Sequence, residues 1–139
     1  MWQEKDCFCL RLKRAAEELM KTYQEALAPS GVTPVQHIIL GRIHDCKGAS
    51  LCEVAEAVGV ERSTLARTIK PLVKEGYVAD VKPARARNSR LVLTEKGEEV
   101  FQEAHRLWVQ EQDKVASELG PVGEKTFSDF LQMMGRVSA

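Results

Sequence analysis

The chain has 139 residues, 44% of them hydrophobic and 29% charged, which suits one domain with a real core and excludes a disordered chain. No apolar run approaches the roughly 20 residues of a membrane helix, and the opening Met-Trp-Gln-Glu-Lys-Asp lacks the basic start and apolar stretch of a secretion signal. A soluble, cytoplasmic protein with no membrane partner is therefore expected. Twenty basic residues balance twenty acidic ones unevenly: residues 1–61 carry 7 Lys/Arg against 9 Asp/Glu, residues 62–96 carry 9 against 3, and residues 97–139 carry 4 against 8. A basic middle between acidic flanks is a local anion-binding surface.

In chain order, Phe8, Leu12, Ala15, Leu19, Tyr23 and Leu27 recur every three or four residues and predict a long helix over 5–28, ended by Pro29-Ser30-Gly31. Thr33-Pro34-Val35-Gln36 is a capping box with proline at the first helical position, opening a helix to about Cys46. A second box, Ser50-Leu51-Cys52-Glu53, starts a short helix that Gly59 ends. Another runs from Arg62 to about Glu75, stopped by Gly76. The period then changes to that of two strands, Tyr77–Val81 and Ser89–Leu93, around an Arg-rich turn. Thr94 caps a long helix to about Leu119, and Gly120-Pro121 breaks it before a last helix carrying Phe127, Phe130, Leu131, Met133 and Met134.

Helix, tight turn at glycine, helix, two-stranded hairpin is the order of a winged helix-turn-helix, so the fold class is mainly α with a small β-hairpin wing. Ala55 is small where two helices cross, Gly59 takes the turn's unusual backbone angles, and Val60, Leu65, Ile69 and Leu72 pin the second helix inward. The opposite face then offers Arg62, Ser63, Ala66, Arg67 and Lys70, donors and positive charge without bulk, which suits the major groove. Arg67 addresses a guanine edge in this reading, while Ser63, Thr64 and Lys70 hold phosphates. The turn adds Arg85, Arg87 and Arg90, which suit the electronegative minor groove. The basic excess thus falls on the elements that this architecture sets against double-stranded DNA. A winged helix used only for protein contacts is the alternative, but it calls for an apolar or acidic face where Arg62, Arg67 and Lys70 stand.

The chain resembles the MarR (multiple antibiotic resistance regulator) family over nearly its whole length. The motifs are Val32-Thr33-x-x-Gln36, Glu61-Arg62-Ser63-Thr64-Leu65-x-Arg67, Leu72-x-x-x-Gly76-Tyr77-Val78 and Leu93-Thr94-Glu95-Lys96-Gly97. The resemblance implies a single domain, 1–139. Residues 1–31 and 120–139 would be its dimerisation helices, 32–97 its winged helix-turn-helix and 95–119 its connecting helix. It further implies an obligate homodimer that binds a pseudo-palindromic operator, usually as a repressor, and leaves it on meeting an effector. The apolar side chains of the last helix point independently to a dimer interface. Three departures stand out: Arg85 occupies the wing position where the family often carries an aspartate that buttresses the arginine matched by Arg87, Glu61 replaces the usual Asp cap, and Pro71 lies inside the recognition helix. The first suggests a wing that is more basic and less rigid.

Three effector mechanisms follow. A small anionic or aromatic molecule would bind between the dimer region and the DNA-binding lobe, where Tyr23, His37 and Trp108 are candidate lining residues. Cys9 is the candidate redox sensor: Cys9-Leu10 with Tyr23 resembles the hydroperoxide-sensing branch, and a helix N-terminus favours thiolate. That branch's tyrosines are replaced here by Lys13, Pro34 and His37. Metal sensing ranks last, because His105-x-x-x-Val109 lacks a second histidine. The four cysteines, Cys7, Cys9, Cys46 and Cys52, form no CxxC pair, and the three histidines lie scattered along the chain, so no metal or cofactor is expected. No catalytic signature, phosphate-binding loop or carboxylate dyad occurs, so no enzyme is expected.

Overall fold

A computed structural model of the chain describes Gln3 and residues 7–139; positions 5 and 6 of the expected first helix lie outside the described residues. The elements are α1 (Phe8–Leu27), α2 (Pro34–Asp45), α3 (Leu51–Val58), α4 (Arg62–Lys74), β1 (Val78–Asp80), β2 (Leu91–Leu93) and α5 (Glu95–Val137), with a 3-10 turn at Ala28–Ser30. This is a winged helix-turn-helix carried between long helices. Among the described residues no helix is long and apolar enough to cross a membrane.

The helix starts follow from their caps. Thr33 accepts from the Gln36 amide at 3.2 Å while the Gln36 side chain accepts from the Thr33 amide at 3.0 Å, the full reciprocal box. At α3 the structure shows the Ser50 half of the second box, in which the side chain accepts from the Glu53 amide. The Leu51 amide donates to Ser89 Oγ at 2.8 Å, tying the start of α3 to the foot of the wing. Glu61 precedes α4 in extended conformation without a side-chain cap bond, and α4 continues through Pro71 to Lys74.

Leu65, Ile69 and Leu72 of α4 are buried with Leu40 and Ile43 of α2, Val54 and Ala55 of α3, and Val78 and Leu91 of the hairpin. Gly59 closes the turn between α3 and α4 at φ 83°, a left-handed conformation that costs glycine little. The strands are shorter than expected. They pair antiparallel in the register Val78↔Leu93, Ala79↔Val92 and Asp80↔Leu91. Beyond Asp80 the hairpin keeps one ladder bond, from the Val81 amide to the Arg90 carbonyl at 2.8 Å, and then opens into the loop. On its other edge Leu91 exchanges bonds with the segment Gly48–Ala49, a contribution absent from the periodic pattern.

The hairpin meets α5 at a tight junction. Thr94 caps α5 by accepting from the Gly97 amide at 3.0 Å, and its hydroxyl donates to the Gly76 carbonyl. The Thr94 amide donates to the Tyr77 carbonyl at 3.0 Å. A Cβ on Gly97 would stand 1.9 Å from that same carbonyl oxygen. Past Ala104, α5 has no fully buried residue. Gly120 interrupts it at φ 67°, ψ 175°, so the helix is two arms, 95–119 and 121–137, meeting at the expected break.

Gly97→Ala should therefore lower stability by about 1–3 kcal/mol or more, since backbone rather than a mobile side chain must give way. Urea unfolding is expected to show the midpoint falling at unchanged slope.

Candidate nucleic-acid interface

Helix α4 presents one apolar and one polar face. Arg62, Ser63, Arg67 and Lys70 are exposed, while Thr64 and Ala66 are half-buried at the edge of the face. Thr64 has a second role that its sequence position did not suggest: its carbonyl accepts from Thr68 Oγ1 at 2.9 Å. The side chains that were expected to hold phosphates and read a base therefore share the outer face of one helix, whose inner face is fixed by three buried aliphatic residues.

The loop between β1 and β2 contributes the second basic group. Arg85, Arg87 and Arg90 are all exposed, but not equivalent. Arg85 and Arg87 lie around a turn closed by the Ala86 amide donating to the Pro83 carbonyl at 2.9 Å. Arg90 immediately precedes β2 and stands at the foot of the hairpin rather than its tip. Its amide donates to Asp80 Oδ1 at 2.9 Å, and the Lys82 amide donates to the same oxygen at 3.1 Å. These two backbone bonds, the Arg90 one foremost, with the Lys82 charge, hold the Asp80 carboxyl below the usual carboxylate range.

A different chemistry gathers between α2 and α5. The histidines that lie scattered in sequence converge here. His37 Nε2 lies 3.3 Å from His105 Nδ1, and His44 Nδ1 lies 2.8 Å from Glu98 Oε2. Phe101 stacks on His37, His44 and His105, with centroids 5.0–5.6 Å apart, and Trp108 stacks on His105 at 5.6 Å. Helical spacing explains the ladder, because residues 101, 105 and 108 share one face of α5. They line a hollow of about 560 Å³ with His37, Arg42 and Asp45 of α2. His37 is only 6% exposed, and its Nδ1 is buried without a partner. Burial, and secondarily the His105 charge, push its pKa below the ordinary 6.5. Tyr23 does not share this hollow: its hydroxyl donates to Gln112 Oε1, joining α1 to α5. Among the described residues no group of three or more His, Cys, Asp or Glu is placed to hold a metal.

The candidate thiols sit at the start of α1. Cys7 occupies the N-cap in extended conformation and is half-buried, while Cys9, in the first turn, is exposed. Lys13, which stands where the hydroperoxide-sensing branch has a tyrosine, lies 3.9 Å from Glu17 on an exposed face. Exposed apolar side chains crowd both ends of the chain: Phe8, Leu12, Leu19 and Met20 on α1, and Val122, Phe127, Leu131 and Met133 on the last arm. Phe130 and Met134 are half-buried.

Comparison with known proteins identifies relatives of this arrangement. The MarR family model matches residues 32–83, from the start of α2 into the wing. The transcriptional regulator BilQ of Clostridium symbiosum is 33% identical over 90 residues, covering 64% of this chain; the match spans 62% of BilQ's own length. The solved structure of the Mycobacterium tuberculosis transcriptional regulator MosR, in complex with DNA, is 32% identical and superposes with a TM-score of 0.77 over 96% of this chain and 100% of that one. The Streptomyces coelicolor regulator PcaV, solved with its natural ligand, shares the fold with a TM-score of 0.84 at 18% identity, covering 100% of this chain and 99% of that one.

The buried His37 has a consequence for stability. Its folded pKa lies below the unfolded value, so the unfolded chain binds the extra proton first, and stability drains away as pH falls below about 6.5. His37→Leu is expected to flatten this acid limb, measured as urea midpoints between pH 7.5 and about pH 5.

Proposed function

This chain belongs to the MarR family, and we propose that it acts as a homodimeric DNA-binding transcriptional regulator, a repressor that occupies a pseudo-palindromic operator and leaves it on meeting an effector. One observation carries the reading: in a chain with no net charge, Arg62, Ser63, Thr64, Arg67 and Lys70 share the outer face of α4, and Arg85, Arg87 and Arg90 stand exposed on the wing. The DNA complex of the related MosR supports it. Two copies joined through α1 and the 121–137 arm would cover the apolar side chains now exposed there and set two α4 helices toward successive half-sites.

Two features support release. The aromatic hollow between α2 and α5 offers flat stacking surfaces, Arg42 and a buried imidazole nitrogen, which suit a small aromatic or anionic molecule. It lies between the DNA-binding lobe and the long helix, so occupancy bears on their relative setting. Cys9 is exposed at the first turn of α1 and is the candidate oxidation site, with Cys7 able to reach it only after the N-terminus of the helix rearranges.

The test is fluorescence-anisotropy titration of DNA from upstream of the protein's own gene and of candidate operators. Arg87→Ala is expected to weaken binding to every sequence and to lower the salt slope by about 1 per half-site. Arg67→Ala should instead relax preference at one base step, at a cost of about 1–3 kcal/mol. Wild-type affinity retained by both variants would move the DNA surface elsewhere, and absence of any salt-dependent DNA binding would favour a protein-contact module. Binding lost with peroxide, restored by a thiol reductant and insensitive in Cys9→Ser would assign release to the thiol; binding indifferent to peroxide would leave release to the hollow.

A further inference from the structure

The wing lacks the aspartate that would buttress Arg87 from two residues before it, since Arg85 stands there. The structure supplies a carboxylate from another direction. Asp80 is the last residue of β1, opposite Leu91 in the register, and the only acidic residue between Glu75 and Glu95. Its Oδ1 accepts from the amides of Lys82 and Arg90, the residues at the two feet of the open loop. With the bond from Val81 to the Arg90 carbonyl, this fixes both ends of the segment that carries Arg85 and Arg87. Bonds to an ionised acceptor are the stronger kind, and a loop whose ends are held has less entropy to lose when its tip enters a groove.

We infer that Asp80 is a positioning residue for DNA binding, a carboxylate clasp that closes the foot of the wing and aims the arginines beyond it. The inference rests on the DNA-binding reading above, but the clasp itself can be read without DNA. Its interest lies in its sign. A negative charge beside a basic wing should, by electrostatics alone, repel phosphate, so its removal should tighten binding. A clasp makes the opposite demand.

Asp80→Ala and Asp80→Asn separate the two. Asparagine keeps an acceptor oxygen in place and drops the charge. Asp80→Ala is expected to weaken operator binding by about tenfold, the scale of a lost hydrogen bond to a charged group, whereas Asp80→Asn should bind at least as tightly as the wild type. In a double-mutant cycle with Arg87→Ala the Asp80→Ala loss should largely vanish, because the clasp works through the wing arginine. Amide hydrogen exchange of the free protein gives the independent reading: Lys82 and Arg90 should lose protection in Asp80→Ala and keep most of it in Asp80→Asn. Tighter or unchanged binding by Asp80→Ala, or equal weakening by both variants, would overturn the clasp. If the wild type bound no DNA, the regulator reading would fall, while unprotected Lys82 and Arg90 amides in the wild type would dispose of the clasp separately.

Discussion

The architecture hangs on the few atoms where the wing runs into α5. Thr94 caps the helix through the Gly97 amide, donates from its hydroxyl to the Gly76 carbonyl after α4, and donates from its own amide to the carbonyl of Tyr77, the residue before β1. Gly97 leaves room for the Tyr77 carbonyl, and Lys96 reaches back to the Glu75 carbonyl while its ammonium lies over the Tyr77 ring. One residue thereby joins the end of α4, both strands and the first turn of α5. Because these bonds are between backbone groups and short side chains, they leave little play. The orientation of the basic lobe relative to the long helix is set here.

This junction also explains how a chain with no net charge can present a charged surface. The basic residues lie on α4 and the wing, before the junction, and the acidic ones dominate α5 beyond it. Glu95 and Glu98 stand in the first turn of α5, and the carboxylates after them recede from the junction along the helix by about 1.5 Å per residue. At physiological ionic strength fields fade within about 8 Å, so a phosphate near α4 experiences the local excess and little of the compensating charge.

Much of this was legible in the sequence wherever the determinant was local. The Thr33–Gln36 box, the Thr94 cap, the period of Leu65, Ile69 and Leu72 and the break at Gly120 each depend on residues within a turn or two, and each appears at the expected place. What stayed hidden depends on contacts across the chain. His37 and His105 are far apart in sequence, so nothing in their spacing announces a stacked pair, and Tyr23, a candidate for the cleft, bonds Gln112 instead. The strands are shorter because beyond the Val81–Arg90 bond the ladder gives way to the Asp80 side chain, which takes the Lys82 and Arg90 amides, and the partnership of Leu91 with Gly48–Ala49 has no local pattern. Asp80 went unnoticed since a single acid at a strand end has no pattern. The one available sign was its isolation in a stretch without other carboxylates.

Gly120 is more than a stop. A 43-residue helix without interruption would be a rod about 65 Å long. Each residue added to or removed from a helix turns everything after it by about 100°. By stepping out of helical geometry for a single residue, the chain resets both the direction of the final arm and its rotational phase. The facing of the Phe127–Leu131 stripe is thus decided at one peptide, independently of the phase in which Phe101, His105 and Trp108 meet α2. The two halves of α5 are rotationally uncoupled, which lets the aromatic face and the terminal apolar face vary in sequence without either dictating the aim of the other.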